Sequence, residues 1–121
     1  LAFARAAALY RYTLEQGDLA PFERQEALAA LAEAYQNEGR PLTAARTYEE
    51  AAAVVGTSAA QATELRRRAA EQYLMGGYLA EGLAAARDVV RAVGALWPEG
   101  FVLTVLGILL ARFSLALRPL A

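Results

Sequence analysis

The chain has 121 residues, enough for one domain with a modest hydrophobic core. Its 12 basic residues, all arginine, face 13 acidic residues, and a net charge of −1 gives no electrostatic case for binding nucleic acid. Cysteine, histidine and lysine do not occur, which excludes disulfides and thiolate metal sites and removes the commonest bases and nucleophiles. We therefore expect no enzyme activity, no cofactor and no metal site in this segment.

Alanine makes up about a quarter of the residues and β-branched runs are scarce, so the composition predicts an all-α fold. The chain opens on Leu1 rather than methionine, and no signal-peptide cleavage pattern follows. We expect a fragment cut at both ends from a longer cytoplasmic protein.

Residues 1–19 are predicted to form the second helix of a truncated repeat. Gly17 is expected to end this helix, because glycine adopts the left-handed conformation of a helix stop at little cost. Asp18 is expected to cap the next helix, with Pro21 in its first turn. The apolar stripe of the first helix comprises Ala6, Tyr10, Thr13 and Leu14.

Residues 20–56 are predicted to form a helical hairpin with a tight turn. Gly39 is suited to end its first helix, and Pro41 to begin the second at a position where its missing N–H does no harm. The small residues Ala32 and Ala44 would let the two backbones approach. The predicted packing positions, at spacings of three and four in each helix, are Leu28, Leu31, Ala32, Tyr35, Ala44, Tyr48 and Ala51.

The sequence also repeats itself. Landmarks of the hairpin recur 38 residues later, in the pairs Ala32 and Ala70, Tyr35 and Tyr73, and Gly39 and Gly77. A period of this size is the signature of stacked helical repeats, in which each unit covers the apolar face of its neighbour. Residues 57–94 are therefore predicted to form a second, degenerate repeat, with Thr57 or Ser58 as N-cap and a last helix that ends at Gly94.

A small residue followed by an aromatic in the first helix (Ala32, Tyr35) and again in the second (Ala44, Tyr48) resembles the tetratricopeptide repeat, or TPR. The period of 38 residues is longer than the usual value of about 34, and Gly56 stands where the family often has proline. The resemblance implies a right-handed α-solenoid of TPR-like hairpins, with about six helices in this chain.

In TPR arrays the first helix of each repeat lines a concave peptide-binding groove. Carried over by position, the resemblance implies a groove formed by Glu26, Ala29, Glu33, Gln36, Asn37, Glu64, Arg67, Glu71, Leu74 and Met75. Glu33 and Glu71 occupy the same repeat position and would form an acidic stripe, so we expect a preference for basic or mixed peptides. The alternative is that these residues are ordinary surface glutamates.

A run of three arginines, Arg66 to Arg68, could suggest phosphate binding. Consecutive helical positions point in different directions, however, which favours a solvated stretch. Glu64 and Arg68 are predicted to form an ion pair at a spacing of four. The remaining carboxylates resemble solvated helix faces and indicate no catalytic arrangement.

A second resemblance covers residues 64–94. This stretch contains the sequence LRRRAAEQ, a glycine turn at Gly76 and Gly77, a predicted helix that includes the tripeptide EGL, and the dipeptide VG at its end. These features are similar to a segment of large bacterial serine/threonine protein kinases, which join a kinase domain, often an ATPase-like domain, and a TPR-like region. No kinase motif lies in this sequence. The resemblance implies a regulatory or scaffolding segment of such a kinase, and the repeat region of an ATPase-type transcriptional regulator is the alternative.

Residues 95–121 are predicted to form an apolar C-terminal helix after Trp97 and Pro98 end the repeats. Residues 101–117 are nearly all apolar, but these 17 residues are at the short limit for a membrane span, and Arg112 opposes insertion. We favour a solenoid helix that buries one stripe against Val89, Val90 and Val93. A spacer ending in a membrane-anchoring helix is the alternative.

The sequence thus predicts a non-catalytic protein–protein interaction or regulatory module. Its expected partner is a protein, a peptide or another domain of the parent chain. Nucleic acid is not an expected partner, and a membrane contact through residues 101–117 is the less favoured possibility.

Overall fold

The computed structural model describes residues 2–96 and 99–117. This part of the chain contains six α-helices and no β-strand, which confirms the predicted all-α class. The helices are α1 (Ala2–Glu15), α2 (Pro21–Asn37), α3 (Pro41–Ala52), α4 (Ala59–Met75), α5 (Leu79–Leu96) and α6 (Glu99–Leu117). Contacts divide the chain into two units, Leu1–Val89 and Val90–Ala121, and the boundary falls within α5.

In the first unit each helix packs against the next along the chain, α1 on α2, α2 on α3 and α3 on α4. The core at these contacts combines alanines with larger tyrosines and leucines. Ala32 and Ala44 have no exposed surface, and Tyr48 is only 1% exposed. Small side chains allow neighbouring helices to lie close together, and the tyrosine fills the remaining space at the density of a protein interior.

α2 and α4 end in the same backbone motif, 38 residues apart. Each is followed by a glycine in the left-handed conformation, Gly39 with φ of 80° and Gly77 with φ of 84°. The amide after each glycine donates a hydrogen bond to the carbonyl oxygen of a tyrosine five residues earlier, at 2.9 Å for Tyr35 and 2.8 Å for Tyr73. This is the Schellman motif, which satisfies carbonyl groups that the helix leaves free. The sequence period is therefore also a period of backbone structure.

Two predicted helix starts are confirmed. α3 begins at Pro41. Ser58 caps α4, since its hydroxyl accepts a hydrogen bond from the Gln61 amide at 3.2 Å while the Gln61 side chain accepts one from the Ser58 amide. This reciprocal capping box satisfies two amides that would otherwise have no partner.

Two other predicted boundaries are wrong. Asp18 does not cap α2, because the helix begins at Pro21, the N-cap position is Ala20, and no side chain caps it. Asp18 lies two residues too early to reach the first free amides of the helix. Gly94 does not end α5, which continues to Leu96. A single glycine costs a helix only about 1 kcal/mol, and the two residues that follow are strong helix formers.

α5 lies very close to α4 at Gly82, where the first repeat has alanine. A Cβ atom at this position would come within 2.7 Å of the Leu74 side chain and 3.3 Å of its backbone nitrogen. The glycine therefore makes room for Leu74. The replacement of the repeat's alanine by glycine at this position is therefore explained by packing.

In the second unit, α6 carries several exposed apolar side chains. Leu103 is 70% and Leu110 is 65% exposed, and Ile108, Leu109 and Phe113 are also exposed. Among the residues described, no helix combines the length and the apolar character that crossing a bilayer requires. Part of the predicted C-terminal helix, residues 95–121, falls outside the described residues. This part comprises residues 97, 98 and 118–121 and the side chains at 95, 96, 99, 101, 102, 105 and 115–117.

Candidate functional site

Polar and charged side chains of α2 and α4 line a small cleft of ≈ 200 Å³, with a tyrosine of α3 beneath them. Residues three or four positions apart on a helix share one face, so each helix can present several such groups to the same space. We call this site the α2–α4 cleft. It is lined by Glu33, Gln36, Tyr48, Arg67, Arg68, Glu71 and Gln72.

Tyr48 connects the buried core to the cleft. Its ring is almost completely buried, and its hydroxyl donates a hydrogen bond to Gln36 Oε1 at 2.9 Å. The guanidinium of Arg68 lies 6.0 Å from the ring centroid. Burial raises the pKa of the Tyr48 hydroxyl, which keeps it a neutral donor at physiological pH. Since Gln36 Oε1 is engaged by Tyr48, the amide nitrogen of the same side chain is the group that Gln36 can offer to a ligand.

The arginines of α4 are held by carboxylates on the same helix. Arg67 forms a two-point contact with Glu64, at 2.9 Å from Nε and 2.8 Å from Nη2, and its Nη1 lies 3.1 Å from Glu71 Oε2. Arg68 Nε contacts Glu64 Oε1 at 3.2 Å, which confirms the predicted pair. Hydrogen bonding to Arg67 lowers the pKa of Glu64 to about 2. Arg67 and Arg68 are thus part of an ion-pair network rather than freely solvated charges.

This network changes the expected acidic stripe. Glu71 is neutralised by Arg67, whereas Glu33 forms no ion pair within the part of the chain that the structure describes. Glu33 is also exposed. The free negative charge of the cleft is therefore concentrated on one carboxylate of α2 rather than shared between two repeats.

The structure brings together five of the predicted groove residues. Glu33, Gln36, Arg67 and Glu71 line the cleft, and Glu64 contacts Arg67 beside it. Other predicted groove positions do not line the cleft. These are Glu26, Asn37 and Met75, which are exposed, and Ala29 and Leu74, which are half-buried.

Sequence reasoning assigned Tyr48 only to packing and overlooked Arg68 and Gln72 as cleft residues. The signal for Arg68 was its position four residues after Glu64, which places both on one face of α4. Gln72 is 3% exposed, and its side-chain amide lies 3.8 Å from Met75 Sδ. A buried polar residue of this kind cannot be recognised from apolar spacing alone.

Nine of the predicted repeat-packing positions lie in the core, whereas the two glycines in that set, Gly39 and Gly77, are exposed at helix ends. None of the following is more than 6% exposed: Leu28, Leu31, Ala32, Tyr35, Ala44, Tyr48, Ala51, Ala70 and Tyr73. The hydroxyl of Tyr73 also donates a 2.8 Å hydrogen bond to Glu49 Oε2, which joins α4 to α3. Burial, followed by this hydrogen bond, raises the pKa of Tyr73 to about 12. The core thus carries polar links between helices as well as apolar contacts.

Replacing Glu64 with glutamine is expected to reduce the loss in free energy of unfolding that the protein suffers when the pH is lowered from neutral to about 3. The pKa of Glu64 falls from 4.5 to about 2 on folding, so its contribution is complete above about pH 4.5 and is lost as the pH falls toward 2. The side chain is 48% exposed, so solvent screening limits this contribution to about 0.5–1 kcal/mol. Urea unfolding of both proteins at neutral pH and near pH 3 measures the difference. Equal acid destabilisation of the wild type and the variant would contradict this assignment.

The cleft offers a carboxylate, a side-chain amide and guanidinium groups, a combination that suits hydrogen bonding to a peptide and an ion pair with one cationic side chain. In the described part of the chain, no group of three or more acidic residues converges in a way that could hold a metal ion.

Comparison with known proteins found that no protein family, no curated protein and no solved structure matches this chain.

Proposed function

We propose that the chain is a non-catalytic protein–protein interaction module built of TPR-like hairpins in a right-handed α-solenoid. Three features support the proposal: the successive packing of α1 to α4, the Schellman motif that recurs after 38 residues, and the alternation of alanine and tyrosine in the core. Stacked helical repeats are expected to show all three, because each unit buries its apolar face against the next.

The observation that carries the proposed function is the carboxylate of Glu33 at the edge of the α2–α4 cleft, which forms no ion pair with any described residue. The neighbouring charges on α4 are already paired with one another, so Glu33 is the group that gains most from a cationic ligand. The cleft of ≈ 200 Å³ is smaller than the roughly 300–1,000 Å³ of small-molecule sites. A cleft of this size suits one long side chain, and we infer a peptide partner that inserts an arginine or lysine beside Glu33.

We also propose that the module belongs to a larger bacterial signalling protein of the serine/threonine kinase type. The support is the likeness of residues 64–94 to the TPR-like segment of such kinases. In that setting the module would bind a peptide partner or another domain of the parent chain. An ATPase-type transcriptional regulator would use the same surface in the same way, and the sequence that flanks this segment in its parent chain distinguishes the two, because a DNA-binding domain would replace the kinase.

Replacing Glu33 with glutamine is expected to weaken the binding of a basic peptide by about five- to tenfold, because a charge-assisted contact becomes a neutral one. The probe is a capped, fluorescein-labelled peptide of about seven residues with one central arginine. Fluorescence anisotropy with the full chain measures the affinity. A matched peptide with citrulline in place of arginine keeps the shape of the side chain and removes its charge.

Glu26→Gln is the control variant, since Glu26 is exposed on the same helix but lies outside the cleft. We expect it to bind the arginine peptide as the wild type does. Equal binding of the arginine and citrulline peptides, or equal weakening by the two variants, would contradict the assignment of Glu33.

A further inference from the structure

A second and larger concave surface lies over α2, between α1 and α3. It consists of two adjoining hollows of ≈ 550 and ≈ 540 Å³ that share Arg24, Leu28 and Glu50. We call this surface the α1–α3 groove. On α2 its residues lie on roughly the opposite side of the helix from Glu33, since an α-helix turns by about 100° per residue. The groove is therefore separate from the α2–α4 cleft.

The groove is long enough to accommodate a segment of regular secondary structure. Its residues on α2 follow one stripe at spacings of three and four, from Pro21 through Arg24, Leu28 and Leu31 to Tyr35. At 1.5 Å per residue this stripe spans about 21 Å, or nearly four turns of a docked helix. The α2–α4 cleft, by contrast, has room for about one side chain.

One end of the groove is apolar and exposed. Leu19, Val54 and Val55 line this end, and Val55 is 84% exposed. Leu14 lines the other half and is only half-buried. These side chains offer an apolar strip that a partner could cover, and covering apolar surface is the main driving force for association.

The rim of the groove carries an excess of positive charge among its described residues. Arg11, Arg24 and Arg46 face Glu15 and Glu50 around the same space. Within the described residues none of these five side chains forms an ion pair. Arg11 lies over the Tyr35 ring at 5.5 Å from its centroid and forms a cation–π contact with it. The arginines of the α2–α4 cleft differ, because they are paired.

We propose that the α1–α3 groove docks an amphipathic helix of a protein partner, with an apolar stripe flanked by glutamate or aspartate. The apolar stripe would cover Leu14 and the Val55 end, and the carboxylates would pair with Arg24 and Arg46. Arginine suits this role because its fork binds carboxylates at two points while its stem packs on apolar surface. The glutamates within the groove make it a poor site for a nucleic-acid backbone. This proposal does not depend on peptide binding at Glu33.

The test uses the full chain and a designed, helix-forming peptide of about 15 residues with leucines on one face and glutamates on both edges of that face. A matched peptide carries lysine at every glutamate position. We expect the acidic peptide to bind more tightly than the basic one and its affinity to fall as salt rises from roughly 50 to 300 mM. We expect Arg46→Glu to weaken its binding by about tenfold.

Two control variants separate this result from folding and from the other site. Arg66→Glu places the same charge change on an exposed position of α4 outside both surfaces, and it should bind the acidic peptide as the wild type does. Glu33→Gln should likewise leave this binding unchanged. Arg46→Gln provides a milder variant if charge reversal lowers the helix content measured by circular dichroism. Stronger binding of the basic peptide, no measurable binding of the acidic one, or equal weakening by the Arg46 and Arg66 variants would overturn the proposal.

Discussion

Replacing Tyr48 with alanine is expected to lower the free energy of unfolding by about 3–5 kcal/mol. Tyr48 is the largest fully buried side chain among the described residues, and it lies on α3, which packs against both α2 and α4. Its removal leaves a cavity at the junction of three helices and deprives Gln36 of its hydrogen-bond donor. Urea unfolding followed by circular dichroism measures the loss.

The matched variant Tyr48→Phe separates the two contributions. It keeps the ring and removes only the hydrogen bond to Gln36, so we expect a loss of about 1 kcal/mol. If the alanine and phenylalanine variants lost the same stability, the hydroxyl rather than packing would be the dominant contribution. If neither variant lost more than about 0.5 kcal/mol, as is usual at exposed positions, the role of Tyr48 as the centre of the core would be contradicted.

Replacing Ala44 with leucine is expected to destabilise the fold by about 1–3 kcal/mol, since added atoms in a close-packed core force its neighbours to move. Ala44 has no exposed surface and lies in α3, between the two helices that α3 contacts. Intrinsic helix propensity opposes this change little, because alanine and leucine are both strong helix formers. The loss of stability therefore measures how closely the helices approach one another at Ala44.

Ala60→Leu is the control for this variant. Ala60 is exposed in the first turn of α4, so the same substitution there should change the free energy of unfolding by no more than about 0.5 kcal/mol. Thermal unfolding of both variants compares the two positions directly. A stability for Ala44→Leu equal to that of Ala60→Leu would mean that small residues are not required where α3 meets its neighbours.

The features of this fold that could be predicted from sequence are those set by local chemistry. Gly39 and Gly77 mark helix ends, because the left-handed backbone there disfavours other residues. Pro41 and Ser58 mark helix starts for equally local reasons. The all-α class follows from composition and apolar spacing, which require no knowledge of tertiary contacts.

The features that could not be predicted depend on what surrounds a residue in space. Gly94 resembles the helix-ending glycines, but it continues a helix because its neighbours support one. The repeat position of Glu71 predicts half of an acidic stripe, yet its charge is balanced by Arg67 on the same helix. Spacing shows that such a pair can form but does not show which of several carboxylates an arginine selects.

The α1–α3 groove was not predicted either, because it depends on three helices meeting. In the sequence, its charged residues look like any other exposed positions. Its apolar residues on α2 have the spacing of ordinary core positions. Only the packing of α1 and α3 on one face of α2 brings these two groups together. Surfaces that bind partners commonly have this origin, in that a rigid scaffold assembles residues that are far apart in the chain.

Nuclear magnetic resonance most directly tests the proposal that the α2–α4 cleft binds a cationic peptide side chain through Glu33. The full, ¹⁵N-labelled chain would be titrated with the arginine peptide and with its citrulline counterpart. We expect the arginine peptide to shift the amide signals of Glu33, Gln36, Arg67 and Glu71 most strongly, and the citrulline peptide to leave them nearly unchanged. Shifts confined to other surfaces, or identical shifts with both peptides, would contradict the proposal.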